Sequence, residues 1–453
     1  MNNNIDILSN PKSAFWKIST PLYFLFLFNS CYSMVNLFWV SQLSHEAFFA
    51  FGVAQPLIVL ISGFGDAVGV GTNSLISREI GENDLIDSYN SILHGIVTCL
   101  IVGVILALLT FFLKDILNLM NITTSIDLVI DYLTPMFLFS FLTLLSSLFI
   151  NTLQAEGNSK TPTTVIILTN IINLILVPIF IFVFDLGIKG VAYATILSTL
   201  IAVIIFLYLY LSRKTEVVLN FKYFKPGIVY EIFAVSIPDF IINILWSVCM
   251  MFINSVLIAQ LGQIGVLLYS TASQIQQLIS SPQSSFSRSL VTICGQLFGA
   301  KEIQKLKEMF HYTLKISFAL SIICTVVFFF IRDYGFSLFS VTGVETSVFY
   351  IALFGIFIVP AENASKISCK MLDGLGKSYH ALILTNGMII FEIILIKLLA
   401  PILTSGVCVL IGIFLTEVIF AIIYYVLIRS LLNGENELEE LIEHEKEKIN
   451  DLN

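Results

Sequence analysis

Apolar positions in this chain come in long unbroken runs, not in the alternating or three-to-four-residue rhythms of soluble strands and helices. Twelve such runs predict helices at 15–40, 48–76, 88–112, 127–153, 161–184, 190–212, 231–258, 264–294, 307–331, 346–372, 380–400 and 404–429. Each is long enough to cross a hydrocarbon core about 30 Å thick as a helix. The first run is too long for the apolar part of a signal peptide and lacks a small-residue cleavage site, so it is expected to remain as a membrane helix. The longest polar connection, "SRKTEVVLNFKYFKPG", falls between the sixth and seventh runs. It divides the chain into a short terminus 1–14, a six-helix half 15–212, a linker 213–230, a second six-helix half 231–429 and a tail 430–453.

The two halves resemble one another. "MVNLFWVSQLS" (34–44) aligns with "FINSVLIAQLG" (252–262), pairing Asn36 with Asn254. "GTNSLISREIG" (71–81) aligns with "SLVTICGQLFG" (289–299), and "LQAEGNSK" (153–160) with "LDGLGKSY" (372–379). "DLGIKGVA" (185–192) aligns with "TSGVCVLI" (404–411) and puts Gly187 on Gly406. Four matches in order at one nearly constant offset mark an internal repeat. Six spans per half is an even number, so both halves enter the membrane in the same sense, as parallel repeats do in transporters.

Composition agrees with a bilayer as the solvent. Of 453 residues, 57% are hydrophobic and 12% charged, and the mean hydropathy is +0.93. The net charge of −8 is concentrated in the tail, where the stretch from Asn433 onward carries eight acids against two lysines. The seven cysteines all sit in apolar segments, in no metal-ligand or disulfide pattern, and are expected to be small buried residues. Lys and Arg fall unevenly about the runs. Seventeen lie on the side of the N-terminus and three, Lys114, Lys189 and Arg332, on the other, while Lys315, Lys366 and Lys397 lie within spans. That asymmetry places both termini in the cytoplasm.

The stretches "SMVNLFWVSQL", "GVGTNSLISREIGEND", "LQAEGNSKTP", "NLILVPIFIFVFDLGIKGVAYATILS", "CGQLFGAKEIQK" and "DGLGKS" resemble the multidrug and toxin extrusion (MATE) transporters over residues 12 to about 430. The resemblance implies an all-α membrane protein of twelve transmembrane helices, in two parallel six-helix repeats forming a V-shaped two-lobe transporter. It implies efflux of amphipathic, often cationic compounds, driven by inward movement of protons or sodium. A flippase for a lipid-linked saccharide is the alternative, because related two-lobe folds do that work. A diphosphate head group calls for several basic residues in the cleft, and few lie within these spans. The expected partners are a small-molecule substrate, a proton or sodium ion and membrane lipids. No nucleic acid, cofactor or metal is expected, and the chain is expected to act as a monomer in the cell membrane. No Walker A, HExxH or GxSxG pattern is present to support an ATP-driven pump or an enzyme.

The candidate chemistry lies in the few polar residues within the spans. The resemblance assigns acids of the amino-terminal half to positions that here hold Asn36 and Val177. Asn173 and Thr195 remain at their family positions. This neutral set cannot take up a proton near neutral pH and would hold sodium poorly; interhelical hydrogen bonding is the plain alternative. In "VPAENASKISCKMLDGLGKS" an acid and a cation sit inside an apolar run, and Glu362 lies twelve residues before Gly374. The resemblance gives that position the coupling role of the carboxy-terminal half. Lys366, one helical turn on, either competes with a substrate cation for the carboxylate or forms a fixed structural pair with it. Asp66, in "GFGDAVGVG", is a further ion candidate, in a stretch where glycines let neighbouring helices approach closely. Asp239, Asn254 and Trp246 of the seventh run are candidates for the substrate route, and Glu392 and Glu417 are other charges within spans. Pro21, Pro178 and Pro238 are read as helix kinks.

Overall fold

The computed structural model describes residues 9–81, 85–119, 125–155, 160–212, 226–300, 302–338, 358–375, 377–404 and 406–433, together with 122 and 158. The first part of the tenth run, most of the linker and nearly all of the acidic tail lie outside the described residues. Among the described residues every regular element is a helix. They are α1 (Pro11–Ser41), α2 (His45–Gly81), α3 (Leu85–Leu108), α4 (Leu113–Leu119), α5 (Ile126–Leu138) and α6 (Ser140–Ala155), then α7 (Lys160–Pro178) and α8 (Gly187–Leu211). The second half supplies α9 (Pro226–Leu261), α10 (Gln263–Gly299), α11 (Ile303–Leu338), α12 (Val359–Gly374), α13 (Ser378–Leu399) and α14 (Val407–Asn433).

Nine described helices are long and apolar enough to cross a membrane alone. The fourth run appears as α5 and α6, bent by 51° at Phe139, and together they make a tenth. Pro135, one turn before the bend, removes the helical bond to the carbonyl four residues earlier, while Phe139 N–H still donates to Pro135 O at 3.0 Å. The remaining two runs are the eighth, α10, whose length is ample but whose interior is rich in Gln and Ser, and the tenth, of which α12 is the described part. Helix α1 runs through Pro21 and α9 through Pro238. At Pro178 the α-helix gives way to a π-helical turn, Ile179–Val183.

Packing groups the helices into two compact units. One is Tyr32–Leu267; the other joins Met1–Cys31 to Leu268–Asn453. In the first, α2 is the central helix, and its glycines explain why. Gly65 and Gly69 face Leu144, Ser147 and Asn151 of α6, while Gly63 and Gly71 face Asn243, Ile232 and Ser236 of α9. With no Cβ on those faces the backbones come close enough for side chains of α9 to reach carbonyls of α2. Ser236 donates to Ala67 O at 2.9 Å, Asn243 to Gly63 O at 3.2 Å and Ser247 to Pro56 O at 2.8 Å. In the second unit the beginning of α1 packs with the carboxy-terminal helices. Phe15 meets Phe286, and Trp16 Nε1 donates to Tyr312 Oη at 3.0 Å. The same cluster takes in Leu290, Phe310, Ile367, Met371 and Tyr424.

The internal repeat is visible in the backbone. Gly187 and Gly406, paired by the sequence alignment, both take left-handed conformations, with φ of 53° and 72°, and both open the last helix of their half. Asn36 and Asn254 are both buried. None of the seven cysteines is in a disulfide, but only Cys99, Cys249, Cys294 and Cys408 are buried; Cys31 is exposed on α1 and two others are half-buried.

Candidate functional site

In the unit containing α10 to α14, Glu362 sits in the first described turn of α12 with its side chain 16% exposed. Each of its oxygens meets a donor. Lys366 Nζ, one turn on and half-exposed, stands 2.5 Å from Oε1, and the Gln276 amide of α10 donates to Oε2. The spacing of four residues puts acid and cation on one face of α12, and Gln276 ties that face to α10.

Further polar groups gather on both sides of this pair. On α12, Asn363 reaches the Ser321 hydroxyl of α11 at 3.0 Å, and Gln283 of α10 meets the same hydroxyl at 3.0 Å. Ser365 donates to the carbonyl oxygen of Glu417 on α14 at 3.4 Å. The Glu417 side chain is buried, as is that of Glu392 on α13. A hydroxyl pair closes the lower end, where Thr385 and Tyr424 lie 3.0 Å apart and Cys369 is beside Thr385. Among the described residues no three His, Cys, Asp or Glu side chains are placed to hold a metal ion.

The amino-terminal candidates form a separate, neutral arrangement in the other unit. Asn173 of α7 donates to Ser198 at 3.1 Å and to Thr195 at 3.4 Å, both on α8. Asn36 is hydrogen-bonded to Tyr32, one turn earlier on α1. Val177 is fully buried. Asn173 and Thr195 are thus brought together, with Ser198 as a third member. Asp66 is exposed on α2 and accepts from Ser147 Oγ at 2.8 Å, which sets it on the α2–α6 contact. The Asp239 carbonyl accepts from Asn243, and Trp246 is 38% exposed on α9.

The partner that sequence reasoning missed is Gln276. A signal was present: "SQIQQLISSPQSSFSRS" (273–289) holds four Gln and seven Ser inside a run of membrane length. Amides and hydroxyls at that depth need partners, so such a stretch marks a face turned toward other polar groups. Ser198 and Ser147 carry no comparable signal, since a lone Ser within a span usually bonds to its own helix.

Comparison with known proteins bears on this arrangement. The family model described as MatE matches twice, over residues 21–179 and 238–398. Multidrug export protein MepA of Staphylococcus haemolyticus (strain JCSC1435) is 24% identical over 380 residues, 83% of this chain and 81% of its own. The MepA protein of Staphylococcus aureus (strain N315) is 24% identical over 381 residues, with the same coverage. Among solved structures, an inward-facing multidrug resistance MATE family transporter of the MOP superfamily matches with a TM-score of 0.84 at 23% identity. That match covers 94% of this chain and 99% of the other.

Proposed function

Because the chain belongs to the MatE family, we propose that it is a secondary transporter exporting amphipathic organic cations by alternating access, driven by inward movement of protons or sodium, with coupling through Glu362. The reading is supported by the similarity to multidrug export proteins of staphylococci. It is supported also by the shortage of basic residues within the spans, which disfavours a diphosphate-bearing lipid as cargo. The observation that carries the coupling role is the doubly engaged carboxylate, Glu362 between Lys366 and Gln276.

The geometry supplies a mechanism. Both oxygens of the ionised carboxylate accept, one from the ammonium on its own helix and one from an amide on α10. A proton placed on either oxygen turns an acceptor into a donor, and the N–H facing it must turn away. Protonation therefore releases either the α12–α10 tie or the Lys366 arm. An organic cation acts on the same atoms from the other direction, since it competes with Lys366 for the negative charge. Substrate and coupling ion thus oppose each other at one carboxylate, which is the requirement for exchange in opposite directions.

The test is transport of a fluorescent organic cation into inverted membrane vesicles, with pH and sodium gradients imposed separately. Accumulation driven by one gradient and lost in Glu362→Gln supports the reading. Accumulation that persists in Glu362→Gln overturns the coupling role, and no movement of any cation under either gradient overturns the substrate class.

A further inference from the structure

Behind the Glu362–Lys366 pair, away from its half-exposed face, α12, α13 and α14 pack on one another and enclose two more carboxyls. Glu417 of α14 is 5% exposed and Glu392 of α13 is 3% exposed. Ser365, between Glu362 and Lys366 on α12, bonds to the Glu417 backbone and so holds Glu417 opposite the pair. Oxygen Oε2 of Glu417 is buried and makes no hydrogen bond. The charged groups acting on Glu417 through space are Glu362 and Lys366 from α12 and Glu392 from α13. Two turns along α14 lies Tyr424, with Cys369 of α12 beside it. Lys366 is therefore the cation shared between Glu362 and Glu417.

One ammonium cannot neutralise both carboxylates. An unpaired charge inside a membrane bundle is expensive, and like charges side by side make it more so. With Lys366 on Glu362, a buried Glu417 with a bare oxygen is stable only as the neutral acid. Lys366 has a flexible four-carbon stem and a half-exposed side chain, so it can change partner. We propose that Glu417 is a second proton-carrying carboxyl of this transporter and the alternate seat of Lys366. An organic cation that binds the Glu362 carboxylate displaces Lys366. The ammonium moves to Glu417, the Glu417 O–H bond breaks and its proton leaves to water. One positive charge arrives and one departs, so the charge of the buried cluster is unchanged. Proton removal and cation binding become a single event, and the return of a proton to Glu417 sends Lys366 back to Glu362 and expels the substrate.

This proposal rests on Glu362 being the coupling carboxylate, and its test separates the two. The protein in detergent is titrated with a fluorescent organic cation at a series of pH values. Release of one proton per bound cation makes binding about tenfold tighter per pH unit in the wild type. Glu417→Gln should flatten that dependence, and Glu417→Asp should restore it. A pH dependence unchanged in Glu417→Gln, with Glu362→Gln inactive, overturns the Glu417 proposal alone. Full gradient-driven efflux by Glu362→Gln overturns the reading beneath it. Should Glu417→Gln fail to accumulate, infrared difference spectra of the wild type decide the matter. Adding the cation should remove a protonated-carboxyl band that Glu417→Asp displaces, and a spectrum without that loss overturns the proposal.

Discussion

Glu362 offers two oxygens and both are taken, so the effect of each substitution depends on which donor it strands. Glu362→Gln keeps the shape and replaces a charge by an amide, which lowers the cost of burial by an amount that insertion scales put at about 2.5–3.5 kcal/mol near a helix centre. Protein level should stay near wild type while gradient-driven efflux is lost. Lys366→Ala leaves the carboxylate with Gln276 alone; protein level should stay near wild type and cation binding should tighten, since the intramolecular competitor is gone, while gradient-driven efflux should fall, since no ammonium returns to expel the cation. If the pair were only a structural brace, both single variants would lose protein and a double change to apolar residues would recover it. Immunoblot levels and pH-dependent efflux of the four proteins distinguish these outcomes. Much of this site was legible in the sequence, because an acid and a cation within an apolar run are costly to insert and, four residues apart, share one helix face. Gln276 was not, because an amide carries no charge to stand out and its partner is 86 residues away. The neutral state of the amino-terminal cluster was legible as well: Asn36 and Val177 hold no ionisable group, and Asn173 spends its amide on Thr195 and Ser198.

Among the elements, α2 shows how glycine spacing becomes architecture. Gly71 would place a Cβ against Ser236 Oγ and 3.0 Å from the Ile232 carbonyl of α9. Gly71→Ala should therefore lower thermal stability by about 1–3 kcal/mol, as overpacking does in tight cores. Ser236→Ala, which removes one interhelical hydrogen bond, should cost only about 0.6 kcal/mol. Because the hydroxyl is the nearest obstacle, the double variant should recover most of the Gly71→Ala loss, leaving a remainder from the Ile232 carbonyl. Unfolding midpoints in detergent measure all three, and strict additivity would refute the contact as the cause. The left-handed glycines make a second case. Nothing lies within 4 Å of a Cβ built on Gly187, yet Gly187→Ala should cost about 1–2 kcal/mol from backbone strain alone. The glycine-rich stretch announced a close approach, but not which helices approach. Gly65 and Gly69 serve α6 while Gly63 and Gly71 serve α9, a choice set by the direction of each helix face in the packed unit.

At the scale of the whole chain, the distribution of Lys and Arg makes a prediction that packing does not. Twelve crossings with both termini on the positively charged side require each half to begin and end in the cytoplasm. Among the described residues ten crossings are accounted for by single helices and the bent α5–α6 pair, and α10, long enough but polar inside, is the expected eleventh. That interior is the reason hydropathy alone undercounts the spans: Gln276 and Gln283, which meet Glu362 and Ser321, are among the residues that make it polar. The remaining crossing is the tenth run, whose first part, from 346, lies outside the described residues while α12 completes it. Reporter domains fused at chosen positions decide the question. Fusions after Ser212, Lys377 and Asn433 should report the cytoplasm, and fusions after Asp185, Arg332 and Thr404 the outside. The pair Arg332 and Lys377 matters most, because only a crossing between them turns the chain back toward the cytoplasm. If both reported the same side, the tenth run would not span, the second half would carry an odd number of helices, and the parallel repeat would fall with it. Opposite sides at these two positions keep Glu362, twelve residues or about 18 Å from the end of its helix at Gly374, near the middle of the bilayer. There a proton or an organic cation must compete directly with Lys366 for the carboxylate.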